Sequence, residues 1–299
     1  MNPTVRVPKL YIWSNQLLYL GVSHIFFREH MSVSDKLIVS IQGEINIKLD
    51  DGRQVATRSC LVKAGTAFDK EYIDVNTATM AIYYLAPLCQ DYPALEKVMA
   101  MGVEGLHYAH PQEDLLIQTL IHIRDAPFAP EQVYDMLRDL IVQPSLQNVI
   151  LREFDSRIVE LVRRVRETVR ENLGVNDFAA EVNLSESRLE KLFKDQIGIP
   201  ITKYRLRYRV FVGIIHLALG QSVTDAALAA GFASSAHFSK TFSAINGVPP
   251  SAAFLKPPFL EVLISDMVFK SLSVNIDDHL NPSHRNDDPV EEIVGGNIP

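Results

Sequence analysis

The sequence predicts a two-domain α+β protein, with a small β-barrel and appended helices followed by an all-α domain that contains two similar helical units. Three observations support this fold class. The chain has 299 residues, a length that suits two domains. Short β-branched and aromatic runs fill residues 1–87, and one motif occurs twice between residues 175 and 254. We place the domains at 1–148 and 149–258, with a C-terminal extension at 259–299.

Short apolar runs separated by turn residues dominate the first 87 residues. The predicted strands lie at residues 17–20, 24–27, 36–41, 44–48, 54–58 and 79–85. The Asp-Gly pair at positions 51 and 52 suits a tight hairpin turn. Strands of this length and spacing predict a small barrel or jelly roll, which has room for one small ligand.

Residues 90–150 change to helical spacing, with predicted helices at 91–101, 112–123 and 130–142. The third helix carries an apolar stripe: Val133, Met136, Leu137, Leu140 and Ile141. The stripe either packs onto the barrel of the same chain or forms a dimer interface, and a stripe alone does not identify its partner. The polar stretch from Pro144 to Asn148 predicts the linker to the second domain.

The repeated motif begins at Ser185 and again at Ser234, 49 residues further on. Each serine is a good N-cap for the helix that follows it. Gly198 and Gly247 end these helices, and a proline follows each glycine. The motif therefore predicts two equivalent short helices.

A further short helix precedes each copy, at residues 177–182 and 224–230. Between the helices, Asn183 and Gly231 suit the left-handed backbone of a tight turn. Helix, turn and helix with a polar outer face is the helix-turn-helix pattern.

The outer positions of the second helices are the candidate DNA-binding residues. They are Ser187, Arg188, Glu190, Lys191 and Lys194 in the first unit, Ser235, Ala236, Ser239 and Lys240 in the second, and Arg209 in the helix between them. Lysine and arginine offer charge to phosphate, and glutamate and serine can bond base edges. One copy alone would be read as a solvated helix face, whereas two copies in register favour DNA binding.

Residues from about Ser156 to Leu255 resemble the DNA-binding domain of the AraC/XylS family of transcription regulators. The resemblance is carried by Leu189, Phe193, Gly198, Tyr204 to Arg209, Ala227, Gly231, Phe232, Phe238, Phe242, Gly247 and Pro250. It implies two helix-turn-helix units held by one long helix, with recognition helices roughly 34 Å apart in successive major grooves. Ala226 and Gly213 depart from the family pattern, which has a larger aliphatic residue and an alanine there. The small side chains of the second recognition helix imply that this unit reads few bases.

Residues 15–87 resemble the cupin-like sensor barrel that is often fused to this DNA-binding domain, through the segments 42–52 and 60–65. That resemblance implies a small-molecule effector, and we select Tyr19, Phe26, Arg28 and Tyr83 as candidate ligand-binding residues. Many cupins hold a metal through closely spaced histidines, whereas His24 and His30 form no His-x-His pair and Asp69 stands where a late histidine would fall. We therefore predict no metal, no cofactor and no catalysis.

The net charge of −7 is unevenly distributed: residues 1–150 carry −5, residues 151–258 carry +4, and residues 259–299 carry −6. The basic share coincides with the predicted DNA-binding region, in arginine-rich clusters at 163–170 and 203–209. The sequence has neither a signal-peptide pattern nor an apolar run of about 20 residues. We accordingly expect a cytoplasmic location, reduced Cys60 and Cys89, and a disordered acidic tail from Asn275.

The leading hypothesis is a dimeric, sequence-specific DNA-binding transcription regulator that responds to a small-molecule effector. One alternative is a regulator with an empty barrel that is controlled by a partner protein. The other is an enzyme of the cupin type or a DNA-repair alkyl acceptor, which would need a metal set or a metal-clustered cysteine. The sequence leaves open whether the outcome is activation or repression.

Overall fold

The computed structural model describes residues 7–21, 32–49, 52–66, 73–74, 79–99, 101–103, 105–141, 150–256 and 260–272. The strands are β1 (Lys9–Ile12), β2 (Leu17–Gly21), β3 (Lys36–Gln42), β4 (Ile45–Lys48), β5 (Gln54–Thr57), β6 (Ser59–Val62), β7 (Ile73–Asp74), β8 (Thr79–Tyr84), β9 (Met101–Val103), β10 (Leu106–Tyr108) and β11 (Glu261–Ile264). The helices are α1 (Asp91–Val98), α2 (Glu113–Asp125), α3 (Pro130–Ile141), α4 (Ser156–Glu167), α5 (Val175–Glu181), α6 (Glu186–Ile197), α7 (Ile201–Ala218), α8 (Val223–Ala229), α9 (Ser235–Asn246), α10 (Pro250–Phe254) and α11 (Asp266–Leu272).

The strands form two sheets. The larger sheet has eight strands in the order β11-β1-β2-β8-β3-β6-β10-β9, and the smaller has the order β5-β4-β7. Strand β11 pairs with β1 in parallel, while the other neighbours are antiparallel. The mixed α+β architecture with a sheet region before a helical region is the predicted one.

The central strands of the larger sheet are buried on both faces, which explains their nearly continuous apolar sequence. In β3, Leu37 and Val39 point into a cluster shared with α1–α3, whereas Ile38 points to a cluster shared with the smaller sheet. Since side chains alternate along a strand, one strand supplies two cores. The sheet region is therefore a layered structure with helices over one face and the smaller sheet over the other.

The apolar stripe of α3 packs within its own chain. Val133 and Leu137 are buried in the same cluster as residues of α1 and α2. Trp13 Nε1 donates to the carbonyl oxygen of Pro130 at 2.8 Å and fixes the start of the helix against β1. Of the two interpretations of the stripe, the structure thus supports packing onto the sheet region of the same chain.

In the helical region, the glycine in α7 that departs from the family pattern has a clear packing role. A Cβ atom at Gly213 would lie 2.5 Å from Cε2 of Phe238, which is fully buried in α9. The missing side chain lets the phenylalanine ring approach the α7 backbone. Ala226 of α8 is also fully buried in this cluster.

Gly213→Ala is expected to lower the free energy of unfolding by about 1–3 kcal/mol, because the added methyl group overpacks the Phe238 site. The matched control is Gly174→Ala, where the added Cβ would have Asp177 Oδ2 as its nearest neighbour at 3.6 Å. Urea denaturation of both variants measures the difference. Equal stability of the two variants would contradict a packing role for Gly213.

Several predicted elements fall outside the described residues, namely the strand at 24–27, Asp50–Asp51 of the hairpin, the linker at 144–148 and the tail from Asn275. The rest of the hairpin is present, with Gly52 at φ +82° and β4 antiparallel to β5. Within the predicted helical stretch 90–150, the structure adds a hairpin of β9 and β10 where the helix was expected to reach Met101. Glycines at 102 and 105 adopt positive φ in this hairpin, which a helical pattern does not accommodate.

Candidate nucleic-acid interface and interdomain cavity

The first helix pair consists of α5 and α6, joined by a tight turn. Asn183 adopts φ +53°, and the N–H of Leu184 donates to the carbonyl oxygen of Ala179 at 3.0 Å. The Ser185 hydroxyl then accepts from the N–H of Arg188 at 3.3 Å, capping α6. The left-handed turn and the serine cap are as predicted from the sequence.

The second helix pair, α8 and α9, repeats this geometry with one more residue in its turn. Gly231 adopts φ +78°, and the N–H of Phe232 donates to the carbonyl oxygen of Ala227 at 2.9 Å. The Ser234 hydroxyl accepts from the N–H of His237 at 3.2 Å. The two pairs are equivalent in turn, cap and terminating glycine.

The predicted DNA-binding residues of both second helices lie on the outside. In α6 the buried residues are Leu189, Phe193 and Ile197. The candidates in this helix are all exposed, namely Ser187, Arg188, Glu190, Lys191 and Lys194. In α9, Ala236 and Lys240 are exposed while Ser235 and Ser239 are half-buried. Both helices thus present a polar face to solvent.

The cations on these faces are available to a ligand. Within the described part of the chain, the side chains of Arg188, Lys191, Lys194 and Lys240 make no hydrogen bond or ion pair. Three of the four lie on α6, so the first pair carries more available positive charge than the second. A phosphate backbone would be attracted to this face.

Most arginines of the two basic clusters bind within the protein instead. Arg163 pairs with Glu160 and Glu167, and Arg164 pairs with Glu181 at 3.1 Å. In α7, Arg205 donates to the carbonyl oxygens of Glu171 and Leu173. Much of the positive charge of these clusters is therefore engaged in ion pairs and hydrogen bonds within the protein.

Arg209, a predicted DNA contact, also points inward. Its Nε donates to the carbonyl oxygen of Val169 and its Nη2 to that of Glu171, both at 2.9 Å. Burial lowers the pKa of this guanidinium. These hydrogen bonds hold the loop after α4 against α7. The sequence pattern did not indicate this structural contact of Arg209.

The sheet region contacts the first helix pair through main-chain atoms. Gly198, at the end of α6, lies against Ala64 and Gly65, and a Cβ atom at either glycine would overlap the opposing backbone. Asp35 accepts from the N–H of Ala64 at 2.7 Å. Burial raises the pKa of Asp35, and the nearby Arg207 of α7 opposes this shift.

The second helix pair rests on strand β1. Alternate residues Tyr11 and Trp13 pack into the core of the sheet region, whereas Leu10 and Ile12 join the cluster built by α7, α8 and α9. One strand therefore belongs to the cores of both regions.

An apolar cavity of about 280 Å³ lies between this strand and the second pair. It is lined by Pro8, Leu10, Leu17, Tyr19, Tyr84, Ile214, Phe242, Asn246, Val248, Ala252, Ala253, Phe254 and Leu260. Burial raises the pKa of Tyr19 to about 12, so its hydroxyl is neutral at physiological pH. Among the described residues of the lining, polar side-chain atoms come from Tyr19, Tyr84 and Asn246 alone.

The structure describes two of the four predicted ligand residues and places them apart. Tyr19 lines the cavity, whereas Tyr83 is buried in the core of the sheet region. Phe26 and Arg28 lie outside the described residues. The cavity wall opposite Tyr19 and its neighbours in the sheet region comes from the helical region and from Leu260. No sequence pattern predicted that these residues would lie beside Tyr19.

The described ranges contain no cluster of side chains suited to metal binding. There, no group of three or more His, Cys, Asp or Glu side chains could hold a metal ion. Cys60 is buried, Cys89 is partly buried, and neither forms a disulfide. Burial raises the pKa of both thiols to about 12, which disfavours the reactive thiolate. Among the same residues, no helix combines the length and apolar character that a membrane crossing requires.

Residues 178–255 match a protein family described as "Helix-turn-helix domain". The Msm operon regulatory protein of Streptococcus mutans is 30% identical over 125 residues, which are 40% of this chain and 44% of that protein. The HTH-type transcriptional regulator GbdR of Pseudomonas aeruginosa is 28% identical over 95 residues, 31% of this chain and 26% of that protein. The chain thus spans less than half the length of these curated relatives. Their names describe regulators.

A solved structure extends the likeness to both regions. A lysine-to-alanine variant of ToxT from Vibrio cholerae, in its apo form, has a TM-score of 0.53 and 15% sequence identity, covering 81% of this chain and 97% of that chain. At this identity the likeness concerns the fold alone. It shows that a sheet region and a helical region in this arrangement occur together in another protein.

Proposed function

We propose that residues 178–255, which match a helix-turn-helix family, form an AraC-type DNA-binding domain. We infer from this that the chain is a sequence-specific DNA-binding transcription regulator. The two helix pairs act as two helix-turn-helix units, with α6 and α9 as recognition helices. The N-terminal region acts as a cupin-like sensor. The proposed place of action is the cytoplasm. The proposed assembly is a homodimer, and light scattering would measure its mass.

The single observation that carries the proposal is the duplicated geometry of the two pairs with outward polar faces. Each recognition helix has a serine cap, a left-handed glycine at its end and a buried apolar side. Base contacts come from Ser187, Glu190 and Lys191 on α6, since glutamate accepts from cytosine and lysine donates to guanine. The small residues of α9 leave phosphate contact as its main role, through Lys240.

The direct experiment is selection of bound sequences from random duplex DNA, followed by hydroxyl-radical footprinting of the selected duplex. We expect a bipartite footprint whose two protected segments lie one helical turn apart on one face. Lack of sequence-specific enrichment would exclude the proposed function.

The effector site is proposed to be the cavity between β1, β2 and the second pair. Its lining is mostly apolar, and the polar atoms of Tyr19, Tyr84 and Asn246 can orient a ligand. We infer a small, largely apolar effector. Binding would act on DNA affinity only if the ligand prefers one relative position of the two regions.

Ala253→Phe is expected to prevent effector binding, because the added ring occupies the cavity beside Phe254. Ser251→Phe on the exposed face of the same helix is the matched control. Native mass spectrometry of the purified protein should detect a small organic molecule in wild type and in Ser251→Phe, and none in Ala253→Phe. A molecule retained by Ala253→Phe would place the effector elsewhere.

The alternative, control by a partner protein with no small molecule, is distinguished by the same measurement. If wild type carries no organic molecule and its DNA affinity does not respond to extracts of small metabolites, the partner-controlled regulator becomes the better interpretation.

A further inference from the structure

The chain returns to its N-terminal sheet after it has completed the DNA-binding region. Strand β11 pairs in parallel with β1, with Lys9 opposite Glu261 and Ile12 opposite Ile264. The N–H of Glu261 donates to the carbonyl oxygen of Pro8, and that of Ser265 to Ile12, both at 2.9 Å. The C-terminal segment therefore forms the outer strand of the larger sheet.

The side chains of this segment fasten the two regions together. Leu263 packs against the core of the sheet region. Val262 and Ile264, on the opposite side of the strand, pack against the cluster of the second helix pair, and Val268 of α11 is fully buried there. Detaching the segment would expose these apolar side chains together with those of β1 that they cover.

The connection between the second helix pair and this strand is short. Helix α10 ends at Phe254 and β11 begins at Glu261. Six residues reach at most about 20 Å when fully extended. While β11 stays paired, the second helix pair cannot move far from the sheet.

The same segment forms part of the cavity wall. Leu260, just before β11, and Leu10, on the strand that β11 covers, both line the cavity. Opening the β1–β11 pair would therefore open the cavity on this side.

We propose that residues 260–269 form a detachable clasp, which holds the second helix pair on the N-terminal sheet and controls access to the interdomain cavity. Release of the clasp frees the second helix pair and the cavity in one step. A ligand that packs against Leu260 and Leu10 stabilises the closed state, and by linkage a closed clasp retains the ligand. The control of ligand access rests on the proposed effector site, whereas the holding function does not.

A reversible disulfide across the strand pair tests both parts. Lys9 and Glu261 are register partners, and adjacent strands lie about 4.7–4.9 Å apart, within the Cα range of a disulfide. The double variant Lys9→Cys, Glu261→Cys in the full chain locks the clasp when oxidised and frees it when reduced. Each single variant is a control. The Lys9→Cys variant also measures the effect of losing the hydrogen bond from Lys9 Nζ to the carbonyl oxygen of Ala126 at 2.9 Å.

Hydrogen exchange measures the holding function without a ligand. In the reduced variant, amides of β11 and those of cavity-lining α10 are expected to become exchangeable together, well before those of the central strands β3 and β8. Oxidation should slow both sets, with no such change in the single variants. Exchange of β11 as slow as that of β3 in the reduced form would overturn the clasp.

Stopped-flow fluorescence with 1-anilinonaphthalene-8-sulfonate, an anionic dye that fluoresces on apolar surfaces, measures access to the cavity. Oxidation is expected to slow release of the probe more than its entry, so that the affinity for the probe rises about tenfold. Equal rates in both redox forms would overturn control of access by the clasp. If the probe binds wild type and Ala253→Phe equally well, the cavity proposal fails. Hydrogen exchange still decides the holding function in that case.

Discussion

Replacing Lys191 and Lys194 together by alanine is expected to weaken binding to the selected DNA about 100-fold. Both ammonium groups lie on the exposed face of α6, and within the described residues neither has an internal partner to lose. A contact of this kind contributes about 1–3 kcal/mol, and each phosphate contact removed reduces the slope of log affinity against log salt by about 0.9. Since Lys191 is assigned a base contact and Lys194 a phosphate contact, the double variant should lose about 1 unit of slope.

The control for this variant is Lys97→Ala, at an exposed position of α1 in the sheet region. It should leave affinity and salt slope unchanged, although it also removes one positive charge from the chain. Fluorescence anisotropy titrations over a salt series measure both quantities, and thermal melting shows that the folded state is intact. An unchanged salt slope in the double variant would remove α6 from the DNA interface.

The parts of the two helix pairs that the sequence predicted correctly depend on local interactions. Ser185 and Ser234 cap the helix that starts beside them, and Asn183 and Gly231 adopt the left-handed conformation that their own chemistry favours. Such interactions span only a few residues. A motif that occurs twice is more informative than a single copy, because the positions shared by both copies indicate the structural residues.

The parts that the sequence did not predict depend on long-range contacts. Strand β11 pairs with a segment about 250 residues away, and its three apolar residues do not specify that partner. The guanidinium of Arg209, a predicted DNA contact, donates to two main-chain carbonyl oxygens, and no side-chain pattern reveals those acceptors. Tyr19 and Tyr83 are similar in sequence context. The packing of the second helix pair makes Tyr19 part of a cavity wall, whereas Tyr83 lies in the core of the sheet region.

The two helix pairs have separate hydrophobic clusters, although one helix joins them. Ile201 and Tyr204, in the first half of α7, pack with α4, α5 and α6. From Tyr208 onward, α7 packs with α8, α9 and β1. Because the clusters are divided along this helix, damage to one need not spread to the other.

The repeat supplies a matched pair of substitutions that tests this separation, Phe193→Ala and Phe242→Ala. The two phenylalanines occupy equivalent positions and are 0% and 2% exposed. Each substitution is expected to cost about 3–5 kcal/mol, a large part of the about 5–15 kcal/mol that stabilises a typical domain. Phe193→Ala should remove the α6 half of the footprint, and Phe242→Ala the α9 half.

Because Phe242 lines the cavity, only its substitution should also release the bound small molecule. Footprinting, urea denaturation and native mass spectrometry of the two variants measure these outcomes, and Phe193→Leu and Phe242→Leu should recover most of the loss since they preserve apolar volume. If either alanine variant loses both halves of the footprint together, the two units fold as one cooperative body. In that case the contacts of β1 and β11 with the second pair, and of Ala64 and Gly65 with the first, unite the clusters through the N-terminal sheet.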